Sequence, residues 1–270
     1  MQHFIGYCFS GAGPDIYANH GPIVIESQLE KDYQWDFLYP EKQDTIDNVI
    51  QLNQKLCQLT HLYLSSGAAC IVVSADHSSA FGTWSGASLF QKGPIGMIWI
   101  DSHLNYEINQ TKNCAYNMPV ANLMGFGDKR LAEIGGKGQK IDPRYFVYVG
   151  VRDDKENEIQ LVKDNNIKVF TADEVNSRGI NLVMREAIEV AEQCPFGYGV
   201  SLDINVFDPL QMPGVSTPSY GGIDFGSFLK FWQSNQLAPI AVEITEFNPN
   251  NDISGQTLNH VVQLIENWSS

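Results

Sequence analysis

The sequence predicts an α/β fold: a single three-layer α/β/α domain with a mostly parallel sheet, running over residues 1–270. Three observations carry this. Short, continuous apolar runs recur along the chain, as strands covered on both faces require. Longer segments with apolar residues at near-helical spacing lie between them, and strand alternating with helix is the pattern of a parallel sheet. No repeat, low-complexity tract or Pro/Ser-rich linker divides the chain. A core of this size buries roughly 75% of the unfolded surface and needs no disulfide staples.

Taken in order, the strand-like runs are residues 3–9, 70–76, 96–102, 145–151, 168–172, 198–204 and 240–247. The clearest helical pattern is 44–65, where Ile46, Val49, Ile50, Leu52 and Leu56 repeat at helical spacing; 182–193, 224–236 and 255–268 are similar. In parallel sheets of this kind, ligands bind outside the carboxyl ends of the strands.

Composition excludes several classes of function. The chain holds 17 Lys+Arg against 31 Asp+Glu, a formal net charge of −14. That excess repels phosphate backbones and anionic membrane surfaces, so nucleic acid and membrane are not expected partners. No apolar run approaches the ~20 residues that span a bilayer. The start, MQHFIGYCFSG, has no basic segment of a secretory signal, and the expected location is cytoplasmic. Cys8, Cys57, Cys70, Cys114 and Cys194 form no C-x-x-C pair and read as buried thiols of a reducing compartment.

Three strand runs end in polar clusters: Asp76 and His77 after the second, Asp101, His103 and Asn105 after the third, and Asp203, Asn205 and Asp208 after the sixth. Residues i, i+2 and i+4 of a strand share a face, so Asp101, His103 and Asn105 point together, as do Asp203 and Asn205. Two imidazoles and two carboxylates flanked by amides suit a divalent cation of the Mn, Fe or Zn kind. Each cluster alone also fits a strand-end cap, and Asn is a turn residue by preference.

In collinear order over most of the chain, these clusters and their neighbours resemble the ureohydrolase family of arginases, agmatinases and formimidoylglutamases. A loose G-x-x-x-G-P-like stretch ends at Asn19–Pro22. The family's G-G-D-H-S stands here as Ser74-Ala75-Asp76-His77-Ser78, and its D-A-H-x-D as Asp101-Ser102-His103-Leu104-Asn105. Gly150-Val151-Arg152-Asp153 fits G-x-R-D, and the stretch Ser201 to Pro209 fits S-x-D-x-D-x-x-D-P, with Asn205 at its second Asp. Thr217 to Gly222 and Glu246-Phe247-Asn248-Pro249 complete the series. The resemblance implies an arginase-like fold and two Mn²⁺ ions bridged by a hydroxide. It places His77 on one ion, His103 on the other, and Asp101 and Asp203 between them. Asn105 and Asn205 take the places of the family's two terminal carboxylates. Glu246 matches the carboxylate that grips a guanidinium or amidinium, a charge-assisted bidentate pairing. Asp76 would support the His77 region.

Where the chain departs from the pattern, the chemistry changes. Two Mn²⁺ bring four positive charges, and two carboxylates leave two of them unbalanced before hydroxide binds. Disturbing even a group behind a ligand costs ~10–100-fold in metal affinity, and a lost ligand charge costs at least as much. A less neutralised ion is also a stronger Lewis acid. Tyr116 stands where the family's proton-shuttle His is expected, and a phenol with a pKa near ~10 shuttles protons poorly at neutral pH. Lys155 stands where arginase meets the substrate's α-amino group; a cation there disfavours arginine and admits an acidic substrate. The implied function is hydrolysis of C–N bonds in a guanidino, amidino or formimidoyl compound by metal-activated hydroxide. One alternative is a non-catalytic arginase fold with a binding or subunit-interaction role. Another is a single-metal hydrolase built on Asp101, His103 and Asp203. The resemblance further implies a homo-oligomer, a trimer or hexamer.

Overall fold

Strands β1 (Gln2–Tyr7), β2 (Gln34–Leu38), β3 (Ala69–Ser74), β4 (Ile95–Ile100), β5 (Ile141–Val151), β6 (Lys168–Thr171), β7 (Tyr198–Asp203) and β8 (Ala241–Thr245) form one sheet in the computed structural model. Residues 2–12, 18–31, 33–41, 45–108, 115–153 and 155–268 are described. The order across the sheet is β2-β1-β3-β8-β7-β4-β5-β6, and every pair in it is parallel. The chain builds one half of the sheet first, crosses over to build the other, and returns to fill the middle with β7 and β8. That reversal creates the crevice at which parallel sheets place their ligands. The strand ends of β3, β8, β7 and β4 are adjacent there.

The helices are α1 (Gly21–Glu26), α2 (Thr45–Ser65), α3 (Ala80–Gln91), α4 (Pro119–Leu123), α5 (Lys129–Ala132), α6 (Glu156–Asp164), α7 (Ala172–Arg178), α8 (Ile180–Ala191), α9 (Phe225–Ser234) and α10 (Gln256–Trp268). One core lies between the sheet and α2–α3, with Leu52, Leu56, Phe81, Trp84, Met97 and Trp99 buried in it. The other lies under α8, α9 and α10, with Ile98, Ile100, Leu202, Met184, Phe228 and Leu264. Alternate residues of one strand enter opposite cores, so both faces are covered. The three-layer α/β/α expectation is met, with a wholly parallel sheet among the described residues.

All seven expected strands are present, most of them ending one or two residues early because polar residues turn the chain. Asp76 ends the β3 segment by capping the turn His77–Ser79, its carboxylate accepting from Ser78 N. Thr171 ends β6 by capping α7 through Glu174 N. Strand β2 was not expected: QWDFL is short, lies at the sheet edge and is only half-buried, so it shows neither a continuous apolar run nor a clean alternation. Helix α3 was not expected either. Residues 80–88 are buried on all sides, and a helix buried all round has no apolar stripe to read.

Helices α2 and α3 approach closely because glycines face α2. A Cβ at Gly86 would sit 2.6 Å from the Cys57 carbonyl oxygen and 2.7 Å from Thr60 Cβ; one at Gly82 would sit 2.6 Å from the Asn53 carbonyl oxygen. Alanine at Gly86 gains up to ~1 kcal/mol of helix propensity but overpacks against backbone, which costs ~1–3 kcal/mol. Gly86→Ala is therefore expected to be destabilising by about 1–2 kcal/mol in urea unfolding. An unchanged or raised stability would contradict the close helix contact.

Candidate metal centre at the strand ends

Three adjacent strands present alternate polar residues to the α3 side. Across β4, β7 and β8 the register pairs Trp99 with Ser201 and Ser201 with Glu243. One step further, toward the strand ends, stand Asp101 and Asp203, both buried. His77, on the turn after β3, lies over this surface. Its Nδ1 is 3.2 Å from Asp101 Oδ2 and 3.4 Å from Asp203 Oδ2. Its Nε2 is 2.9 Å from Ser201 Oγ, which donates to Glu243 Oε2 at 3.0 Å. The ring stacks on Trp99 at 4.4 Å between centroids.

Glu243 is fully buried and accepts from Ser79 Oγ at 2.7 Å, Thr83 Oγ1 at 2.8 Å and Trp84 Nε1 at 3.2 Å as well as from Ser201. A buried carboxylate needs this many donors. Sequence reasoning missed Glu243, although an ionisable residue inside the apolar run AVEIT is itself a signal.

The other expected residues are placed as follows. Asp101 accepts from His103 N at 2.9 Å, Trp99 Nε1 at 3.2 Å and Asn105 Nδ2 at 2.6 Å. His103 is partly exposed, with Nδ1 3.4 Å from Asp101 Oδ1. Asn105 has a φ of +50°, a left-handed conformation that Asn tolerates, so its turn role is real. Asn205 N donates to Asp203 Oδ1 at 2.8 Å. Arg152, from the G-x-R-D loop, spreads its guanidinium over the carbonyls of Asn205 at 2.8 Å, Val206 at 3.1 Å and Ser219 at 2.7 Å, and so ties down the loop after β7. Glu246 is buried, and its Oε1 accepts from His77 N at 3.0 Å. Its φ of +75° is a conformation that costs a non-glycine residue ~1–3 kcal/mol and concentrates at functional sites.

Among the described residues no hydrogen bond joins Asp76 to the His77 ring; its Oδ1 takes Ser78 N at 2.9 Å together with the Ser78 hydroxyl, and its Oδ2 takes Ala12 N at 3.2 Å. It positions the turn that carries His77. Tyr116 lies on the turn Ala115–Asn117, which packs against the turn His77–Ser79. Lys155 pairs with Glu107, so its charge is already answered. Cys8, Cys57, Cys70 and Cys194 are buried free thiols, and burial pushes Cys8 and Cys70 up to about 12. Cys114 lies outside the described residues.

The electrostatics ask for positive charge. Burial opposes ionisation of Asp101, but His103 and His77 hold its carboxyl well below the usual range. Burial and then the Asp101 charge push Asp203 up to about 6. Burial, Asp203 and Asp76 raise Glu246 well above an ordinary carboxyl. Burial disfavours charge on His77, yet Asp101 and Asp203 outweigh it and raise the imidazole well above its usual value. The donor set fits a cation: His77, Asp101 and Asp203 each offer an atom, all within 4.8 Å of one another. His103 is not part of that tight group, so the trio that forms differs from the expected Asp101, His103 and Asp203.

Burial pushes Asp76 up to about 6 from 3.8. A raised acid stabilises the native state fully below its unfolded pKa, and the contribution is lost as pH rises through the folded one. Stability due to Asp76 is thus expected to fall by up to ~3 kcal/mol between about pH 4 and pH 6 and then level off. Asp76→Asn keeps the cap and removes this residue's share of the slope, leaving that of Asp203. Urea unfolding of both proteins at the two pH values measures the difference, and equal slopes would contradict the buried, protonatable Asp76.

Known proteins resemble this chain in sequence and in fold. The family model described as "Arginase family" matches residues 18–269. An arginase of Brevibacillus brevis is 35% identical over 191 residues, 70% of this chain and 64% of that relative. An arginase of Bacillus caldovelox is 32% identical over 221 residues, 80% of this chain and 74% of the relative. The crystal structure of the Bacillus subtilis arginase superimposes with a TM-score of 0.89 at 27% identity, covering 99% of this chain and 97% of that one.

Proposed function

We propose, from the premise that the chain belongs to the arginase family, that it hydrolyses a C–N bond of a guanidino, amidino or formimidoyl compound with the help of a divalent metal. The observation that carries this reading is the meeting of His77, Asp101, Asp203 and Glu246 at four adjacent strand ends. His77, Asp101 and Asp203 would hold the ion. When bound, it supplies Lewis acidity that makes a nucleophile of water at neutral pH. Imidazole with carboxylate suits Mn²⁺, the ion that the resemblance implies.

The chain's own residues do the rest. Glu243, acting through Ser201, fixes the ring of His77 so that Nδ1 faces the carboxylates. Glu246 is a buried carboxyl with no Lys or Arg ion pair among the described residues, and a planar amidinium would draw it into its ionised form and meet it in a bidentate pair. Its anchor to His77 N sets the distance between the amidinium and the metal ligands. Tyr116, on the turn beside that of His77, would protonate a leaving nitrogen through water. Lys155 is paired with Glu107, which weakens its pull on an acidic substrate. The reading carries with it a trimer or hexamer in the cytoplasm. No helix among the described residues is long and apolar enough to cross a membrane.

One observation favours a second reading, a non-catalytic member with a binding or subunit-interaction role. Asn105 Nδ2 already donates to Asp101 Oδ2 at 2.6 Å, and so satisfies without metal a carboxylate that the family uses as a ligand.

A panel of guanidino, amidino and formimidoyl compounds, assayed with Mn²⁺ on the folded chain, separates the two. Turnover of at least one compound is expected, and Glu246→Gln should lower its kcat/KM by about 10–100-fold, the loss of a hydrogen bond to a charged group. Metal-loaded protein that turns over nothing in the panel would favour the second reading.

A further inference from the structure

The two asparagines among the ligating groups are held differently. Asn205 Oδ1 accepts from the Ser102 backbone N–H at 3.2 Å and from Ser102 Oγ at 2.7 Å. An amide oxygen has two acceptor sites, and both are taken. A backbone N–H only donates, so it decides which end of the amide faces it. The amino end therefore points the other way, 3.2 Å from His103 Nδ1. An amide nitrogen, its lone pair delocalised, is no ligand for a divalent cation. An aspartate at 205 would keep the Ser102 contact with one oxygen and offer the other to an ion. The Ser102 hydroxyl is this chain's own contribution, since the D-A-H-x-D pattern has alanine at that place.

Among the described residues Asn105 has no such clamp. Its Nδ2 meets Asp101 Oδ2 at 2.6 Å and His77 Nδ1 at 3.2 Å, two atoms that would themselves turn to a cation. Half a turn of this amide offers its oxygen to the same ion. The geometry points to a site for one divalent cation rather than two, bound by His77, Asp101 and Asp203 with Asn105, the second position being closed by the Ser102–Asn205 pair. This rests on the metal-dependent reading above. Charge agrees: Asp101 and Asp203, the carboxylates of the tight group, balance one divalent ion and leave a second uncompensated.

The test is metal content by mass spectrometry on the full chain, equilibrated with Mn²⁺ and freed of loosely held metal. One Mn per chain is expected for the unaltered protein and for His103→Ala, whose side chain is partly exposed and outside the trio. His77→Ala should lose the ion, with circular dichroism showing that the fold remains. Asn205→Asp should double the content to two. Two Mn in the unaltered protein would overturn the single-ion assignment and leave the metal-dependent reading standing. Loss of the ion in His103→Ala would overturn the choice of His77. No Mn in the unaltered protein or in Asn205→Asp, with both folded, would overturn the metal-dependent reading itself.

Discussion

An imidazole between two carboxylates stays in one orientation only if its far side is also held. For His77 that hold is Ser201 backed by Glu243, with Trp99 stacked beneath the ring. Glu243 in turn takes donors from α3 and the turn before it, Ser79, Thr83 and Trp84. The site and the core are thus one structure. The helix that packs against α2 through Gly82 and Gly86 is the helix that satisfies the carboxylate behind His77. A shift of α3 would reach the strand ends through a buried charge, and buried charges tolerate little loss of their partners.

The sheet topology explains why these residues meet. Strands β7 and β8 are made late and inserted between β3 and β4, so residues far apart in the chain, such as His77, Asp101, Asp203 and Glu246, end on neighbouring strands. The polar positions repeat every second residue, which keeps Trp99 and Asp101, Ser201 and Asp203, and Glu243 on one face. The opposite face stays apolar and packs under α8, α9 and α10.

What the sequence made legible follows the same physics. The strands of the sheet centre are continuous apolar runs, and their ends are marked by polar residues that cap the next turn, so both were readable. The edge strand β2 and the all-round buried helix α3 lack the periodicity on which such reading depends. The ligand types and their motifs were legible because side-chain chemistry is written in the letters. The support of His77 by Glu243, the pairing of Lys155 with Glu107 and the orientation of the Asn205 amide were not. Each depends on a partner 40 or more positions away. The two Asp-to-Asn departures look alike in the sequence, and only the Ser102 N–H makes one of them a closed door.

The central claim is that the arginase-family cradle survives here around His77 alone. Anomalous diffraction at the manganese edge, from a crystal of the full chain grown with Mn²⁺, tests it most directly. The account predicts one peak per chain, among His77 Nδ1, Asp101 and Asp203. A second peak of equal height beside His103 would contradict it, as would no peak at all at these strand ends.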